Sequence, residues 1–140
     1  MRQLNVALGI ICQGSSYLLQ QREDNPMIGA AGQIGAFGGK LEPGETAAEA
    51  VCRELAEETT LLPAVQDLKY LGELDVVSDH QLEDVQVHAT VFCFEIDMNT
   101  KVHPKEGSVI EITRDEALEQ IERLTPATKV CFEQLIVGKE

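Results

Sequence analysis

The sequence predicts a mixed fold of the α/β or α+β class, because strand-like and helix-like segments interleave along the chain. Short runs of β-branched and apolar residues recur from end to end, and amphipathic helical patterns separate or follow them. The chain has 140 residues, of which 44% are hydrophobic, and this length suits one hydrophobic core but not two. We therefore expect residues 1–140 to form a single domain.

The chain begins with strands. Residues 4–12 and 16–21 are apolar, partly β-branched runs on either side of a three-residue turn, a pattern typical of a β-hairpin. Residues 27–44 are rich in glycine and lack periodicity, which indicates a long loop that encloses a short strand near residues 34–37. A loop of this length in a small domain is usually functional.

The clearest helix follows this loop. Thr46 and Glu49 have the spacing of a capping box, in which each side chain accepts a hydrogen bond from the backbone of the other residue. We therefore expect a helix over residues 47–59. Four apolar residues recur along it at helical intervals and predict one stripe that faces the core. They are Ala48, Val51, Cys52 and Leu55.

The second half of the chain also contains both strands and helices. The predicted elements are strands over residues 68–77, 85–96 and 109–112, a polar, acidic loop over residues 78–84, and an amphipathic helix over residues 114–124. A last helix is expected to begin with Thr125 as its N-cap and Pro126 in its first turn, where a missing N–H donor costs nothing.

The charge balance excludes two classes of partner. Eleven basic residues against 24 acidic residues leave a net charge of −13, which repels long nucleic acids and anionic membrane surfaces. A small polyphosphate can still bind if divalent cations supply the positive charge that the chain lacks. The composition therefore favours a small anionic ligand together with metal ions.

The cysteines and the first apolar segment indicate the compartment. The four cysteines lack the close spacing of a zinc or redox motif, so we interpret them as free, mostly buried thiols. They are Cys12, Cys52, Cys93 and Cys131. Residues 5–12 are apolar but too short for a membrane span and lack the flanks of a signal peptide. A reducing cytoplasm is the expected location.

Three carboxylates on the predicted helix carry the functional signal. Glu54, Glu57 and Glu58 have helical i, i+3 and i+4 spacing, so they project from one arc roughly 100° wide. A solvated row of glutamates is the ordinary alternative. Glu58, however, lies in register with the apolar stripe, where an unpaired carboxylate is costly to bury. A bound Mg²⁺ or Mn²⁺ ion resolves this conflict, because hard cations take carboxylate ligands.

A glycine-rich turn, residues 38–45, comes immediately before this helix and allows the backbone to approach metals and phosphates closely. Arg53 can pair with Glu45, Glu49 or Glu57. One interpretation is a surface ion pair of a few tenths of a kcal/mol. The interpretation that we favour is a buried side chain that orients the carboxylates.

These residues resemble the Nudix box, which here covers residues 39–61. The matching positions are Gly39, Glu45, Arg53, Glu54, Leu55, Ala56, Glu57, Glu58 and Leu61. Weaker similarity to small MutT-like members extends to residues 18–22, 37–39 and 124–128. The resemblance implies one Nudix domain folded as an α/β/α sandwich around a mixed sheet. Thr60 departs from the pattern, because the family has glycine there to end the helix in a left-handed conformation, and it predicts a differently shaped helix end.

The resemblance also implies a mechanism. Glu54, Glu57 and Glu58, with the carbonyl of Gly39, would hold one or more Mg²⁺ ions, or Mn²⁺ in their place, across a pyrophosphate. Arg53 completes the predicted catalytic set, and Gly38 and Glu45 are expected to shape and orient it. Glu54 is the candidate for shared duty as base and ligand. Alternative bases from downstream segments are Asp79, His80, Glu83, Asp84, Glu95 and Glu106. The histidines His80, His88 and His103 lack ligand-like spacing and are assigned no metal.

The substrate is not encoded in the box. A chain without tryptophan lacks the array that marks NADH-cleaving relatives, Val76 stands where a proline suggests ADP-ribose cleavage, and the tyrosine of dinucleoside polyphosphate hydrolases is absent. A nucleoside triphosphate, modified or not, is therefore the first candidate, and a nucleotide sugar or ADP-ribose is the second. A nucleotide sensor without turnover, a non-Nudix acidic helical protein, and a homodimer remain open alternatives.

Overall fold

The computed structural model describes residues 2–21, 33–80 and 83–136. Its strands are β1 (Arg2–Gln13), β2 (Ser16–Gln21), β3 (Ile34–Gly35), β4 (Phe37–Lys40), β5 (Leu68–His80), β6 (Glu83–Ile96) and β7 (Ser108–Thr113). Its helices are α1 (Ala47–Glu58), α2 (Arg114–Glu119) and α3 (Pro126–Val130), and α3 continues as a π-helical segment, Cys131–Ile136. Short 3-10 turns occur at Val65–Asp67 and Ile121–Arg123.

The strands form one mixed sheet of seven strands, with the order β3-β2-β1-β6-β5. Strand β4 pairs with β1, and β7 pairs with β2. The central strands β1 and β6 run parallel along their whole length, from Arg2 opposite Val85 to Gln13 opposite Ile96. All other pairs are antiparallel. The mixed class predicted from the sequence is confirmed.

Two apolar clusters cover the two faces of the sheet. One lies beneath α2, α3 and the π-helical segment and contains Leu19 and Phe132. The other lies beneath α1 and contains Phe37 and Leu55. Helix α1 sits close to the sheet because β1 carries Gly9 at the crossing, where a Cβ atom would lie 2.8 Å from a methyl group of Val51. The result is the layered α/β/α arrangement that the Nudix resemblance implied.

Two predicted elements were wrong in extent. The loop expected over residues 78–84 is mostly strand, because β5 and β6 stay paired through Asp79 opposite Asp84 and His80 opposite Glu83. The helix expected over residues 114–124 ends at Glu119. Residues 121–123 form a 3-10 turn instead, which brings Leu124 beside Ile34 of β3 in an isolated bridge.

The buried stripe of α1 is rotated from the predicted one. Ala50, Val51, Leu55 and Glu58 are buried, and the helix ends one residue early with Thr59 as its C-cap. Of the four residues predicted to face the core, Ala48 and Cys52 are only half-buried. The reason is that α1 lies against both β4 and β1, which turns the side of Ala50 and Glu58 inward and leaves the side of Ala48 and Cys52 partly exposed.

Other predictions fall on smaller features. The four cysteines are free thiols, two of them buried and two half-buried. Thr125 is the N-cap of α3, but its side chain makes no capping bond and donates to the Thr128 hydroxyl at 2.8 Å. The first part of the predicted glycine-rich loop, residues 22–32, lies outside the described residues. In the part that is described, no helix is long and apolar enough to cross a membrane.

Candidate active site

The start of α1 is fixed by the capping box that the sequence predicted. The Thr46 hydroxyl accepts a hydrogen bond from the Glu49 N–H at 3.1 Å, and the Glu49 carboxylate accepts one from the Thr46 N–H at 2.8 Å. These two bonds satisfy backbone donors that the first turn leaves unpaired. The capping box therefore fixes the residue at which α1 begins. The start of the helix in turn fixes the direction in which each of its carboxylates projects.

Strand β4, which contains the first residues of the predicted glycine-rich turn, brings backbone directly against these carboxylates. Gly38 has a φ of 134°, and a Cβ atom there would lie 2.0 Å from the carbonyl oxygen of Ala7, so only glycine fits. At Gly39 a Cβ atom would lie 2.8 Å from a carboxylate oxygen of Glu54. The backbone of Gly39 thus lies in contact range of Glu54, as a shared metal site requires.

Arg53 connects the turn to the helix. Its guanidinium donates two hydrogen bonds to Glu45, at 2.7 and 2.9 Å, one to Glu54 at 3.0 Å and one to the carbonyl of Lys40 at 3.2 Å. The paired bonds to Glu45 are the bidentate geometry that suits arginine. They hold the pKa of Glu45 down at about 2. The orienting roles of Arg53 and Glu45 stay predictions, but the contacts that they need are present.

Among the carboxylates whose side chains the structure describes, Glu58 is the one that is buried. Its residue is only 6% exposed, and it accepts a hydrogen bond from the Gly38 N–H at 3.2 Å. Burial, followed by a hydrogen bond with Glu54 and the charge of Glu54, raises the pKa of Glu58 to about 8. Without a cation, the Glu58 carboxyl therefore holds a proton at neutral pH.

Glu57 points elsewhere. Its side chain is 55% exposed and lies 3.4 Å from Arg53. Within residues 2–21, 33–80 and 83–136, no three histidine, cysteine or acidic side chains already converge at the spacing of a metal site. The predicted arc is therefore divided, with Glu54 and Glu58 facing the Gly38-Gly39 backbone and Glu57 facing solvent.

The residues present nevertheless fit a hard divalent cation. Two neighbouring carboxyl groups, of which the buried Glu58 holds a proton, lie against a glycine backbone that no side chain occupies. Replacing that proton by Mg²⁺ or Mn²⁺ removes the repulsion between the two carboxylates and uses oxygen ligands of the kind that these ions prefer. Glu57 can join them, because exposed side chains change rotamer within nanoseconds.

The downstream segments contribute one of the predicted alternatives. Glu106 follows Lys105, whose N–H donates to the Glu58 carbonyl at 2.7 Å, and the Glu106 carboxylate is close enough to raise the pKa of Glu58 further. Glu95 lies near Cys12, on the face of the sheet away from α1. The side chains of Asp79, His80, Glu83 and Asp84 lie outside what the structure describes. Sequence patterns gave Glu106 no preference over the others, because its place depends on a contact between distant segments.

Comparison with known proteins identifies the family. The model of the NUDIX domain matches residues 1–135. The chain belongs to the Nudix family. The assignment made from the box at residues 39–61 is thereby confirmed for nearly the whole chain.

Proteins similar to this chain carry different functional names. An ADP-ribose pyrophosphatase of Methanocaldococcus jannaschii is 45% identical over 60 residues, which cover 43% of this chain and 34% of that protein. The match thus spans about a third of the relative's length. A MutT protein of Methanosarcina mazei has a TM-score of 0.74 and 23% identity, with coverage of 99% of this chain and 96% of that one. An E. coli dihydroneopterin triphosphate pyrophosphohydrolase has a TM-score of 0.72 and 17% identity, with 99% of both chains covered. These two likenesses show the fold.

The Nudix box of this chain ends in an atypical way. Thr59, the C-cap of α1, is extended, with φ −139° and ψ 179°. The Thr59 hydroxyl donates to the carbonyl of Leu55 at 2.7 Å and accepts from the N–H of Leu61 at 3.0 Å. The chain then runs antiparallel to Pro104. The expectation that Thr60 accompanies a differently shaped helix end stays a prediction.

A cleft borders the Nudix box on the side of Glu45. It has a volume of about 660 Å³, which is in the range of small-molecule sites. Its lining comprises Gln3, Leu4, Asn5, Lys40, Leu41, Glu42 and Glu45. Lys40, which follows Gly38 and Gly39 in β4, forms part of its wall.

Proposed function

We propose that this protein is a Mg²⁺-dependent pyrophosphohydrolase, active also with Mn²⁺, that cleaves a nucleoside diphosphate derivative. The observation that carries the proposal is the placement of two carboxylates on one stretch of glycine backbone, with the buried Glu58 on the Gly38 N–H and Glu54 against Gly39. A pair of this kind is costly unless a cation joins it. A net charge of −13 means that an anionic substrate also needs that cation in order to approach.

Each residue of the box has a separate task in this proposal. Glu54, Glu58 and the Gly39 carbonyl hold the metal, and Glu57 joins them from its exposed position. When bound, the divalent ion neutralises charge on the pyrophosphate and lowers the pKa of the water that attacks phosphorus. Arg53 donates to Glu54 at 3.0 Å and so keeps that carboxylate turned toward the glycine backbone.

The base that takes the proton from the attacking water comes from this group or lies beside it. Glu54 is the first candidate, because it is held by Arg53 and lies against Gly39. Glu106 is the second, because it approaches Glu58 from outside α1. A carboxylate within one water of the attacked phosphorus meets the geometric requirement for general base catalysis.

The proposed substrate is a nucleoside triphosphate, cleaved to a monophosphate and pyrophosphate. Val76 in place of the proline expected for ADP-ribose cleavage supports this choice, and a protein of the same fold is named a dihydroneopterin triphosphate pyrophosphohydrolase. ADP-ribose is the second candidate, since a relative with 45% identity over 60 residues is named for it. A sensor without turnover is disfavoured, because such a protein has no need to retain Glu54 beside a buried Glu58.

The experiment incubates the full chain with Mg²⁺ and a panel of nucleoside triphosphates, nucleotide sugars, ADP-ribose and dinucleoside polyphosphates. We expect release of pyrophosphate or monophosphate from at least one compound, and loss of that activity with EDTA. The Glu57→Gln and Glu58→Gln variants should lower kcat/KM by a factor on the order of 10² to 10⁴, whereas Glu119→Gln, an exposed glutamate of α2, should not change it. Equal nucleotide binding by wild type and both variants, with cleavage by none of the three proteins, would establish the sensor instead.

A further inference from the structure

Thr60 makes a contact that the family's usual glycine cannot complete. Its backbone N–H donates to the carbonyl of His103 at 3.1 Å, and its hydroxyl accepts from the N–H of His103 at 3.1 Å. The two bonds form a reciprocal pair between residues 43 positions apart. Glycine supplies the first bond but has no side chain for the second.

The segment that Thr60 contacts also closes the end of α1. Residues 103–106, called here the strap, run along the helix exit with Thr59 bridged to Pro104. The Lys105 N–H donates to the Glu58 carbonyl at 2.7 Å, and the Lys105 ammonium donates to the Ala56 carbonyl at 2.9 Å. These bonds satisfy carbonyls that the last turn of a helix leaves unpaired, and the ammonium opposes the negative end of the helix dipole.

The strap leads directly to Glu106. The Glu106 carbonyl accepts a hydrogen bond from the Gln20 side chain at 3.3 Å. The backbone is therefore held at Lys105, by Glu58, and at Glu106 itself, by Gln20. Glu106 is exposed and belongs to the connection between β6 and β7. Glu106 lies in neither a helix nor a strand, so no regular secondary structure fixes its position relative to Glu58. The contacts of the strap provide that position.

We propose that Thr60 is a positioning residue, whose hydroxyl anchors the strap to α1 and thereby holds Glu106 beside the metal-binding carboxylates. This role rests on the proposed function of Glu54 and Glu58. The departure from the family pattern then has a physical purpose. The chain gives up a glycine helix end and gains a side-chain acceptor that ties a downstream carboxylate to the site.

Packing alone does not explain Thr60. The residue is exposed, so its methyl group contributes little to the core, and a serine at this position retains the hydroxyl without the methyl. Valine has the same shape without the hydroxyl, and glycine restores the usual box. The three substitutions therefore separate the hydrogen bond from shape, branching and helix-end conformation.

The test compares wild type, Thr60→Ser, Thr60→Val and Thr60→Gly, each with and without Glu106→Gln. Mn²⁺ affinity is measured by calorimetry without substrate, and hydrogen exchange of the His103 and Lys105 amides is followed by NMR. We expect Thr60→Val and Thr60→Gly to weaken Mn²⁺ binding about tenfold and to speed exchange at both amides. Thr60→Ser should resemble wild type. In the Glu106→Gln background the Thr60 substitutions should have no further effect on Mn²⁺ affinity.

Two results would overturn the positioning role. One is a Thr60→Val protein that is folded by its thermal transition and binds Mn²⁺ as tightly as wild type. The other is a loss of affinity in Thr60→Val that is undiminished in the Glu106→Gln background, because the effect would then bypass Glu106. If the coupling is found but wild type hydrolyses nothing, the proposed function fails and the positioning role stands. If wild type hydrolyses a nucleotide without the coupling, only the positioning role fails.

Discussion

Glu58 shows how a single residue combines a cost in folding with a use in binding. A carboxylate that is 6% exposed and next to Glu54 retains its proton up to a pKa of about 8. The same burial excludes water from one side of the site, so charge interactions with a cation are stronger there than at the surface. The residue therefore destabilises the metal-free fold, and in the metal-bound protein it is expected to bind the cation.

The raised pKa of Glu58 predicts that the free energy of unfolding depends on pH. In the unfolded chain Glu58 loses its proton near the ordinary value of 4.5, whereas in the folded metal-free chain it loses it near 8. Between these values the folded state holds more protons, so the free energy of unfolding should fall as pH rises, by up to about 5 kcal/mol. Urea unfolding in EDTA from pH 4.5 to 8.5 measures this slope.

Two variants and added Mg²⁺ test whether Glu58 causes this slope. Glu58→Gln should remove most of the slope, and Glu119→Gln should leave it unchanged. Saturating Mg²⁺ should also reduce it, because a cation stabilises the ionised carboxylate of the folded state. A slope that persists in Glu58→Gln would show that another group is responsible.

At the scale of elements, the β5–β6 hairpin carries its own charged cluster. His88 lies between two carboxylates of the neighbouring strand, with Nδ1 2.8 Å from Asp75 and Nε2 2.8 Å from Glu73. The Tyr70 hydroxyl donates to the other oxygen of Glu73 at 2.8 Å. Asp75 and then Glu73 raise the pKa of His88 above its ordinary value of 6.5. The cluster crosses the two strands on the face that also carries α1.

The hairpin should therefore lose stability as pH rises. The His88 pKa is higher in the folded chain than in the unfolded one, so its contribution is complete below pH 6.5 and disappears as pH rises through the folded pKa. The difference in free energy of unfolding between wild type and His88→Gln should shrink over that window. Denaturation at closely spaced pH values measures it, and Asp75→Asn should reduce the difference. A difference that is constant with pH would contradict the ion pairs.

The elements also show what sequence patterns can and cannot predict. Strands β1, β2 and β6 and the start of α1 were predicted within a few residues, because apolar alternation and the Thr46–Glu49 capping box are local signals. The extension of β5 and β6 into residues 78–84 was missed, because backbone pairing in a hairpin does not require apolar side chains. The early end of α2 was missed because its cause is the distant pairing of Leu124 with Ile34.

At the scale of the whole molecule, the site is assembled from three separate segments. The sheet places β4 against α1, and the connection after β6 returns to the end of the same helix. The box residues could be predicted from sequence because their spacing is local. The strap and the contact of Gln20 with Glu106 could not, since they depend on how β2, β6 and β7 are ordered in the sheet.

The central claim is that a divalent cation binds between α1 and the backbone of Gly38 and Gly39 in β4. A crystal of the full chain grown with Mn²⁺, with data collected at the manganese absorption edge, tests it most directly. We predict an anomalous peak about 2.0 to 2.3 Å from carboxylate oxygens of Glu54 and Glu58 and from the Gly39 carbonyl. A map without a peak there, or with its strongest peak at the His88 cluster, would contradict the account.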